Sequence, residues 1–136
     1  EKTEKVSHGL TAIDQEEQTE WQHNKIDQGF NTFRELKKAL GPAGDGKVWH
    51  HIVEQSQIQK SGFNPKLIHN AKNIIAIDST IHVKISGYYS SKPEFTRGKT
   101  IRDWLAGQSY QEQYQFGLNV LKRFGISKYS SKEGLF

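Results

Sequence analysis

The chain has 136 residues, with 19 Lys and Arg against 15 Asp and Glu and a formal net charge of +4. This length fits one domain, and an aromatic content of 11% can supply a modest core, which argues against a disordered chain. The absence of Cys excludes a disulfide scaffold, a Cys-ligated zinc finger, an iron–sulfur cluster and a cysteine nucleophile. No apolar run approaches the roughly 20 residues of a membrane-spanning helix, so we expect no membrane span. Met is absent too, and we therefore expect a piece of a longer protein.

The charge is unevenly distributed along the chain. Residues 1–40 carry 6 Lys and Arg against 8 Asp and Glu, whereas residues 41–136 carry 13 against 7. A basic body of this kind indicates a polyanionic partner such as nucleic acid, or an acidic protein. An ordinary solubilising surface explains the charge equally well.

The N-terminal part of the chain is predicted to be helical after a short leading segment. Residues 1–13 lack periodicity and are expected to be loose. From Asp14 to Leu40, apolar residues recur at three-to-five-residue steps and predict an amphipathic helix, which Gly29 bends or divides. The Gly- and Pro-rich stretch at 41–46 ends it.

The central part of the chain alternates between strand and helix patterns. Residues 48–53 predict a strand, and an Asn-Pro helix start predicts a short helix over 66–69. The β-branched run at 73–77 predicts a second, buried strand. Candidate caps then introduce a helix over 81–88 that is disturbed near Gly87.

The last third is predicted to be mostly helical. Thr100 is positioned to cap a helix over 101–106. Ser109 and Glu112 have the spacing of a capping box, and the helix that follows them ends at Gly125.

These elements predict an α+β fold, with a small β-hairpin and helix as the core and longer helices at its N-terminal and C-terminal sides. No internal repeat is present. We expect a single domain over residues 14–126, followed by a polar tail over 127–136.

Four residues of the central part form the most informative pattern. His50 and His51 stand at the end of the first predicted strand, Asn73 opens the second, and His82 lies in the first turn of the following helix. Neighbouring side chains on a strand point to opposite faces, so the two histidines serve different roles only if the strand bends or one faces a separate partner. The amide of Asn73 is suited to hold a neighbouring loop or imidazole in place.

This order resembles the His-Asn-His (HNH, or ββα-metal) nuclease motif, and the nine residues from Asn73 to His82 match its colicin-type members. The resemblance implies that His50 and His82 ligate a divalent metal such as Mg, Zn or Ni. It implies that His51 deprotonates the attacking water, and that Asn73 holds the loop that orients His51. The family often has another ligand four residues after His82, where this chain has Ser86. A hydroxyl is a poor ligand, so either water completes the metal shell or no metal binds.

A wider resemblance covers most of residues 40–125. The segments Trp49–Gln55, Ile85–Tyr89 and Arg102–Leu105 resemble C-terminal toxin domains of bacterial polymorphic toxins, most closely the LXG-type toxins of Bacillus and relatives. The resemblance implies a domain secreted or delivered as part of a larger toxin, acting in the cytoplasm of the target cell. It also implies neutralisation by a dedicated immunity protein, which we expect to be acidic. Several such domains act on RNA.

RNA permits a mechanism that needs no metal. The 2′-hydroxyl of the substrate is then the nucleophile, His51 is the base, and His82 or His50 is the acid. Lys84 or Lys72 would stabilise the negative charge that a metal otherwise offsets.

Further residues are candidates for substrate binding. Arg97, Lys99 and Arg102 form a basic group that could hold phosphates, although an exposed charge cluster explains them as well. Tyr88 could stack on a base, or it could pack against the C-terminal helices.

Two other titratable residues near the motif have competing interpretations. Glu54 could approach the metal or orient a histidine, and it could equally be a solvated carboxylate at the end of a strand. His69 is expected to cap the end of its short helix with its ring.

Together these patterns predict an antibacterial toxin endonuclease that cleaves phosphodiester bonds through His50, His51, Asn73 and His82, with RNA favoured as the substrate. A metal-dependent HNH-type DNase is the alternative. From another class, a non-catalytic nucleic-acid-binding module remains open, as does an interaction domain that recognises an acidic protein.

Overall fold

A computed structural model of the chain describes residues 29–127. The predicted segment 1–13, the first half of the predicted N-terminal helix and the tail from residue 128 onward lie outside the described residues.

The fold is α+β, as predicted, with helices on both sides of two antiparallel strands. The elements in chain order are α1 (Phe33–Leu40), β1 (Lys47–His51), α2 (Gln57–Ser61), α3 (Pro65–Ile68), β2 (Ile74–Asp78), α4 (Ser79–Tyr89), α5 (Ile101–Leu105) and α6 (Tyr110–Arg123), with 3₁₀ turns at Ala71–Asn73 and Glu94–Thr96.

The two strands form the centre of the fold. They pair antiparallel, with His50 opposite Ile75 and His51 opposite Ile74. The connection between them carries α2, α3 and a 3₁₀ turn, so it is far longer than a tight hairpin loop. Strand β2 leads directly into α4, which packs against both strands. The end of β1 and the first turns of α4 therefore lie side by side.

The predicted helix over residues 14–40 is wrong at residues 29–32. Gly29 forms an isolated β-bridge with Asn70, and the Phe30 N–H donates to the carbonyl oxygen of His69 at 2.9 Å. A Cβ at Gly29 would lie 1.9 Å from the carbonyl oxygen of Lys66, so only glycine fits this close approach. Helix α1 begins after this bridge, where Thr32 forms a capping box with Glu35.

The helix ends follow local signals in several places. The side chain of Thr100 accepts the Asp103 N–H at the start of α5, and Ser109 and Glu112 form the predicted capping box of α6. Helix α4 continues through Gly87, so the predicted disturbance there is wrong. The sequence analysis missed α2 and both 3₁₀ turns because segments of three to five residues are too short to show periodicity.

Two apolar clusters hold the elements together. The larger lies between β2, α4, α5 and α6, and the smaller lies under the long connection between the strands. No helix within residues 29–127 has the length and apolar character needed to cross a membrane. The buried members of the larger cluster are Ile52, Ile77, Ile85, Tyr89, Ile101, Leu105, Val120 and Leu121, and those of the smaller are Val53, Leu67, Ile68 and Tyr110.

Candidate functional site

A cleft of about 220 Å³ opens where β1 ends beside α4. Three of the four predicted site residues, His50, His51 and His82, line this one cleft. The remaining lining residues are Glu54, Gln55, Ser56, Ile85, Ser86 and Arg102.

His50 and His82 face each other across the cleft. His50 is the fourth residue of β1 and His82 the fourth residue of α4, and their Nδ1 atoms are 3.3 Å apart. The rings meet edge to face, with 5.4 Å between centroids. Burial, followed by the nearby charge of His82, lowers the pKa of His50 to about 4, so this imidazole is neutral at neutral pH. Its buried Nε2 makes no hydrogen bond within residues 29–127.

His51 faces a different partner, as alternation along a strand requires. Its Nε2 lies 3.3 Å from the Nδ1 of His69, the residue that follows α3. The predicted helix-capping role of the His69 ring is therefore wrong, because that ring is turned toward His51. The pKa of His51 is lowered to about 3, first by burial and then by the neighbouring histidines. His51, the last residue of β1, is nevertheless among the lining residues of the cleft.

Asn73 lies behind the cleft and is fully buried. Its Oδ1 accepts the Val53 N–H at 2.9 Å, and its Nδ2 donates to the carbonyl oxygens of Val53 and Ile68, each at 3.0 Å. The backbone just after His51 is held further by the Ile52 N–H, which donates to the carbonyl oxygen of Asn73 at 2.7 Å. Asn73 therefore fixes the course of the chain after His51 without lining the cleft.

Glu54 and Arg102 form an ion pair in the wall of the cleft. The Nε of Arg102 donates to Oε1 of Glu54 at 2.9 Å, and its second terminal nitrogen donates to Oε2 at 3.1 Å. The Glu54 side chain is only 15% exposed, so the expectation of a solvated carboxylate is wrong. Burial raises the pKa of Glu54, and the Arg102 guanidinium opposes that rise. Because Glu54 and Arg102 are 48 residues apart in the sequence, local patterns did not predict that they form an ion pair.

Arg102 also reaches α4. Its guanidinium donates to the Oγ of Ser86 at 3.2 Å and to the Oγ of Ser90. The hydroxyl that stands where the HNH family often has a further metal ligand is therefore bonded to an arginine. The sequence analysis grouped Arg102 with Arg97 and Lys99, but only Arg102 of these three lines the cleft.

The other residues predicted to bind substrate, Lys84, Tyr88, Arg97 and Lys99, lie outside the cleft lining. Lys84 is exposed on α4, and Arg97 and Lys99 are exposed before α5. Tyr88 packs toward α6, where Arg123 lies 4.7 Å from its ring centroid and donates to its hydroxyl. These positions leave Lys84, Arg97 and Lys99 accessible to a long polyanion, whereas the Tyr88 ring is engaged within the fold.

The His50–His82 pair has a separation that suits two metal ligands. Two imidazole nitrogens bound to one tetrahedral zinc at about 2.0–2.1 Å lie about 3.3–3.4 Å apart. The observed 3.3 Å agrees with this value. Within residues 29–127, no group of three or more His, Cys, Asp or Glu side chains is arranged to hold a metal. The pair therefore fits two positions of a metal shell that water and substrate would complete.

Comparison of the chain with known protein families, with curated proteins and with solved structures finds no match. The residues of the cleft are therefore the basis for a functional proposal.

Proposed function

We propose that this chain is an endonuclease that cleaves phosphodiester bonds in nucleic acid, with RNA as the favoured substrate and His51 as the general base. The observation that supports this most is the convergence of three imidazoles, from β1 and α4, in one cleft. The described residues carry 14 Lys and Arg against 7 Asp and Glu, a balance that favours a polyanionic substrate.

The reaction on RNA needs one base and one acid. His51 takes the proton of the 2′-hydroxyl, whose oxygen attacks the adjacent phosphorus while the bond to the 5′-oxygen breaks. The departing oxygen takes a proton from the imidazolium form of His82, the more exposed of the other two imidazoles, which ends the step as a neutral ring. The products are a 2′,3′-cyclic phosphate and a free 5′-hydroxyl.

The lowered pKa of His51 is consistent with its role as the base, whereas burial also lowers the pKa of His82, so the acid role depends on a bound phosphate anion that stabilises the imidazolium form of His82. With a pKa of about 3, His51 is unprotonated at neutral pH and able to receive a proton. A phosphate anion in the cleft stabilises the imidazolium form and raises the pKa of His51 toward its ordinary range, where it is a stronger base. Substrate binding and activation of the base are thereby coupled.

A metal-dependent nuclease that hydrolyses DNA is the second candidate, and the 3.3 Å separation between His50 and His82 favours it. These two residues would hold a divalent cation, which when bound supplies positive charge to offset the charge that builds on the phosphate. His51 would then take a proton from water instead of from a 2′-hydroxyl.

End-group analysis after incubation with labelled RNA and with plasmid, each with and without a chelator, distinguishes these candidates. We expect RNA cleavage that persists in chelator and leaves 2′,3′-cyclic phosphate ends. His51→Gln should lower the rate by about 10²–10⁴-fold, because the amide is not a base. The exposed residue Gln115 offers a control, and Gln115→Ala should cleave like the wild type.

Two other outcomes would contradict the RNA proposal. Plasmid cleavage that requires an added cation would replace the RNA proposal with the DNase candidate. Binding without cleavage of either substrate, unchanged in His51→Gln, would instead identify a non-catalytic nucleic-acid-binding module.

The biological role that we propose is that of an antibacterial toxin, delivered as part of a larger protein into the cytoplasm of a target cell. The resemblance of the three segments named above supports this role, and the basic charge suits an acidic immunity protein. Expression of the wild type and of His51→Gln inside bacterial cells tests this toxin role. The wild type should arrest growth and His51→Gln should not. Co-expression of a small acidic protein encoded beside the toxin should restore growth, as expected of an immunity protein.

A further inference from the structure

The two ring nitrogens of His51 have different surroundings. Nε2 lies at hydrogen-bond distance from the Nδ1 of His69, which is not a lining residue of the cleft. Nδ1 makes no hydrogen bond within residues 29–127, and His51 is a lining residue of the cleft. Only Nδ1 is therefore left to exchange a proton with a molecule bound there.

His69 is held in place through its own backbone. Its N–H donates to the carbonyl oxygen of Pro65 at 2.8 Å, and its carbonyl oxygen accepts the Phe30 N–H at 2.9 Å. Its side chain is enclosed as well, since the residue is only 5% exposed. Because two backbone hydrogen bonds and burial fix the position of His69, its ring is suited to orient the neighbouring ring of His51.

Phe33 covers the His51–His69 pair. Its ring meets His51 edge to face, with 4.5 Å between centroids, and lies parallel to His69 at 6.1 Å. Lys37 lies over the Phe33 ring, 4.4 Å from its centroid. An apolar cover strengthens the hydrogen bond between the imidazoles because it removes competing water.

We propose that His69 is a positioning residue that holds His51 in the tautomer with the proton on Nε2, so that the proton-accepting atom of His51 is Nδ1. This inference rests on the proposed function, because it concerns how the base of that reaction is prepared.

The two possible directions of the hydrogen bond have opposite consequences. If the Nε2–H of His51 donates to the Nδ1 of His69, the Nδ1 of His51 is an acceptor and the residue can act as a base. If His69 donates instead, the proton of neutral His51 lies on Nδ1, and the residue cannot accept another proton in the cleft. Activity through His51 therefore requires the first direction.

Ring nitrogen NMR of the ¹⁵N-labelled wild-type chain at neutral pH tests the tautomer without any substitution. We expect the Nε2 of His51 to carry the proton and its Nδ1 to show the shift of an unprotonated imidazole nitrogen. A proton on Nδ1 would overturn the inference.

Two substitutions of His69 test its effect on catalysis. His69→Leu removes the hydrogen bond and fills similar space, whereas His69→Asn keeps a polar atom near the position of Nδ1. We expect His69→Leu to lower kcat by about 100-fold with KM within about twofold, because a base that loses its orientation is misplaced for the reaction. His69→Asn should recover most of that loss.

The results distinguish this inference from the proposed function. An inactive wild type, or activity unchanged in His51→Gln, contradicts the proposed function itself. Normal kcat in His69→Leu, alongside a wild type that depends on His51, contradicts only the positioning role. Equal losses in His69→Leu and His69→Asn, with both variants as thermally stable as the wild type, also contradict it.

Discussion

Asn73 combines a structural role with proximity to the candidate site. Its side chain bonds to the backbone of Val53 and Ile68 from a position with no solvent exposure. These bonds tie the end of β1 to the end of α3, and so connect the segments that carry His51 and His69. The role is close to the one that the HNH resemblance implies for this residue, because the loop that it holds begins directly after His51.

Replacing Asn73 with Ala should lower the free energy of unfolding by at least about 3 kcal/mol. The change leaves a buried N–H and two buried carbonyl oxygens without a side-chain partner, and such groups cost about 1–3 kcal/mol each when unpaired. Urea denaturation measures the difference.

Asn119 provides the matched control because it is an exposed asparagine on α6. Asn119→Ala should change stability by no more than about 0.5 kcal/mol. Similar small effects for both substitutions would show that the bonds of Asn73 contribute little.

Predictions for single residues were correct where the role depends only on neighbours in the sequence, as for a residue that caps a helix. The Asn64 side chain accepts the Lys66 N–H at the start of α3, as an Asn-Pro pair predicts. It was wrong for Glu54 and His69, whose partners lie 48 and 18 residues away along the chain. Local sequence patterns extend over only a few residues and therefore do not indicate a partner that is far away in the sequence.

At the level of elements, α6 packs directly on the segment that follows β1. Gly117 makes this possible, because a Cβ at this position would lie 2.4 Å from the carbonyl oxygen of Ile52. Ile52 is the residue next to His51, so the position of α6 constrains the end of β1.

Gly117→Ala should destabilise the chain by about 1–3 kcal/mol, even though Ala favours a helix over Gly by about 1 kcal/mol. The added methyl overlaps backbone, which cannot move aside as a flexible side chain can. Thermal denaturation measures the change, and nuclease activity should fall with it because the overlap pushes on the residue beside His51.

Gly87 on α4 is the control for this prediction. Nothing lies within 4 Å of a Cβ built there, so Gly87→Ala should raise stability by about 0.5–1 kcal/mol through helix propensity alone. Stabilisation of both variants would show that the close contact between α6 and Ile52 does not exist in solution.

At the level of the whole molecule, the buried imidazoles make folding sensitive to pH. The folded-state pKa values of His50 and His51 are about 4 and about 3, against 6.5 for an unperturbed histidine. Between pH 6.5 and about 4, the unfolded chain binds protons that the folded chain does not. Stability is therefore fully present above pH 6.5 and is lost as the pH falls through this window.

We expect the free energy of unfolding to fall by about 1.4 kcal/mol per pH unit for each of these two histidines in that window. The lowered pKa values of His69 and His82 act in the same direction and steepen the slope, whereas the raised pKa of Glu54 acts in the opposite direction. Urea denaturation at several pH values from 7 to 4 measures the slope.

His51→Gln supplies the comparison, because it removes one titrating group and should reduce the slope. A stability that stays constant from pH 7 to pH 5, or equal slopes for the variant and the wild type, would contradict this account.

Local sequence patterns were sufficient to predict the α+β class, both strands and the starts of α5 and α6, because caps and β-branched runs act over a few residues. The same patterns predicted a helix through residues 29–32, where a bridge to Asn70 prevails over local propensity. They also identified His50, His51, Asn73 and His82 as the informative residues. The HNH resemblance implied that His50 and His82 lie close together, whereas the contact between His51 and His69 was not predicted, since it depends on how β1 and α3 pack. Side chains far apart in sequence are brought within 3.3 Å of each other only when the burial of the apolar clusters fixes those elements in space.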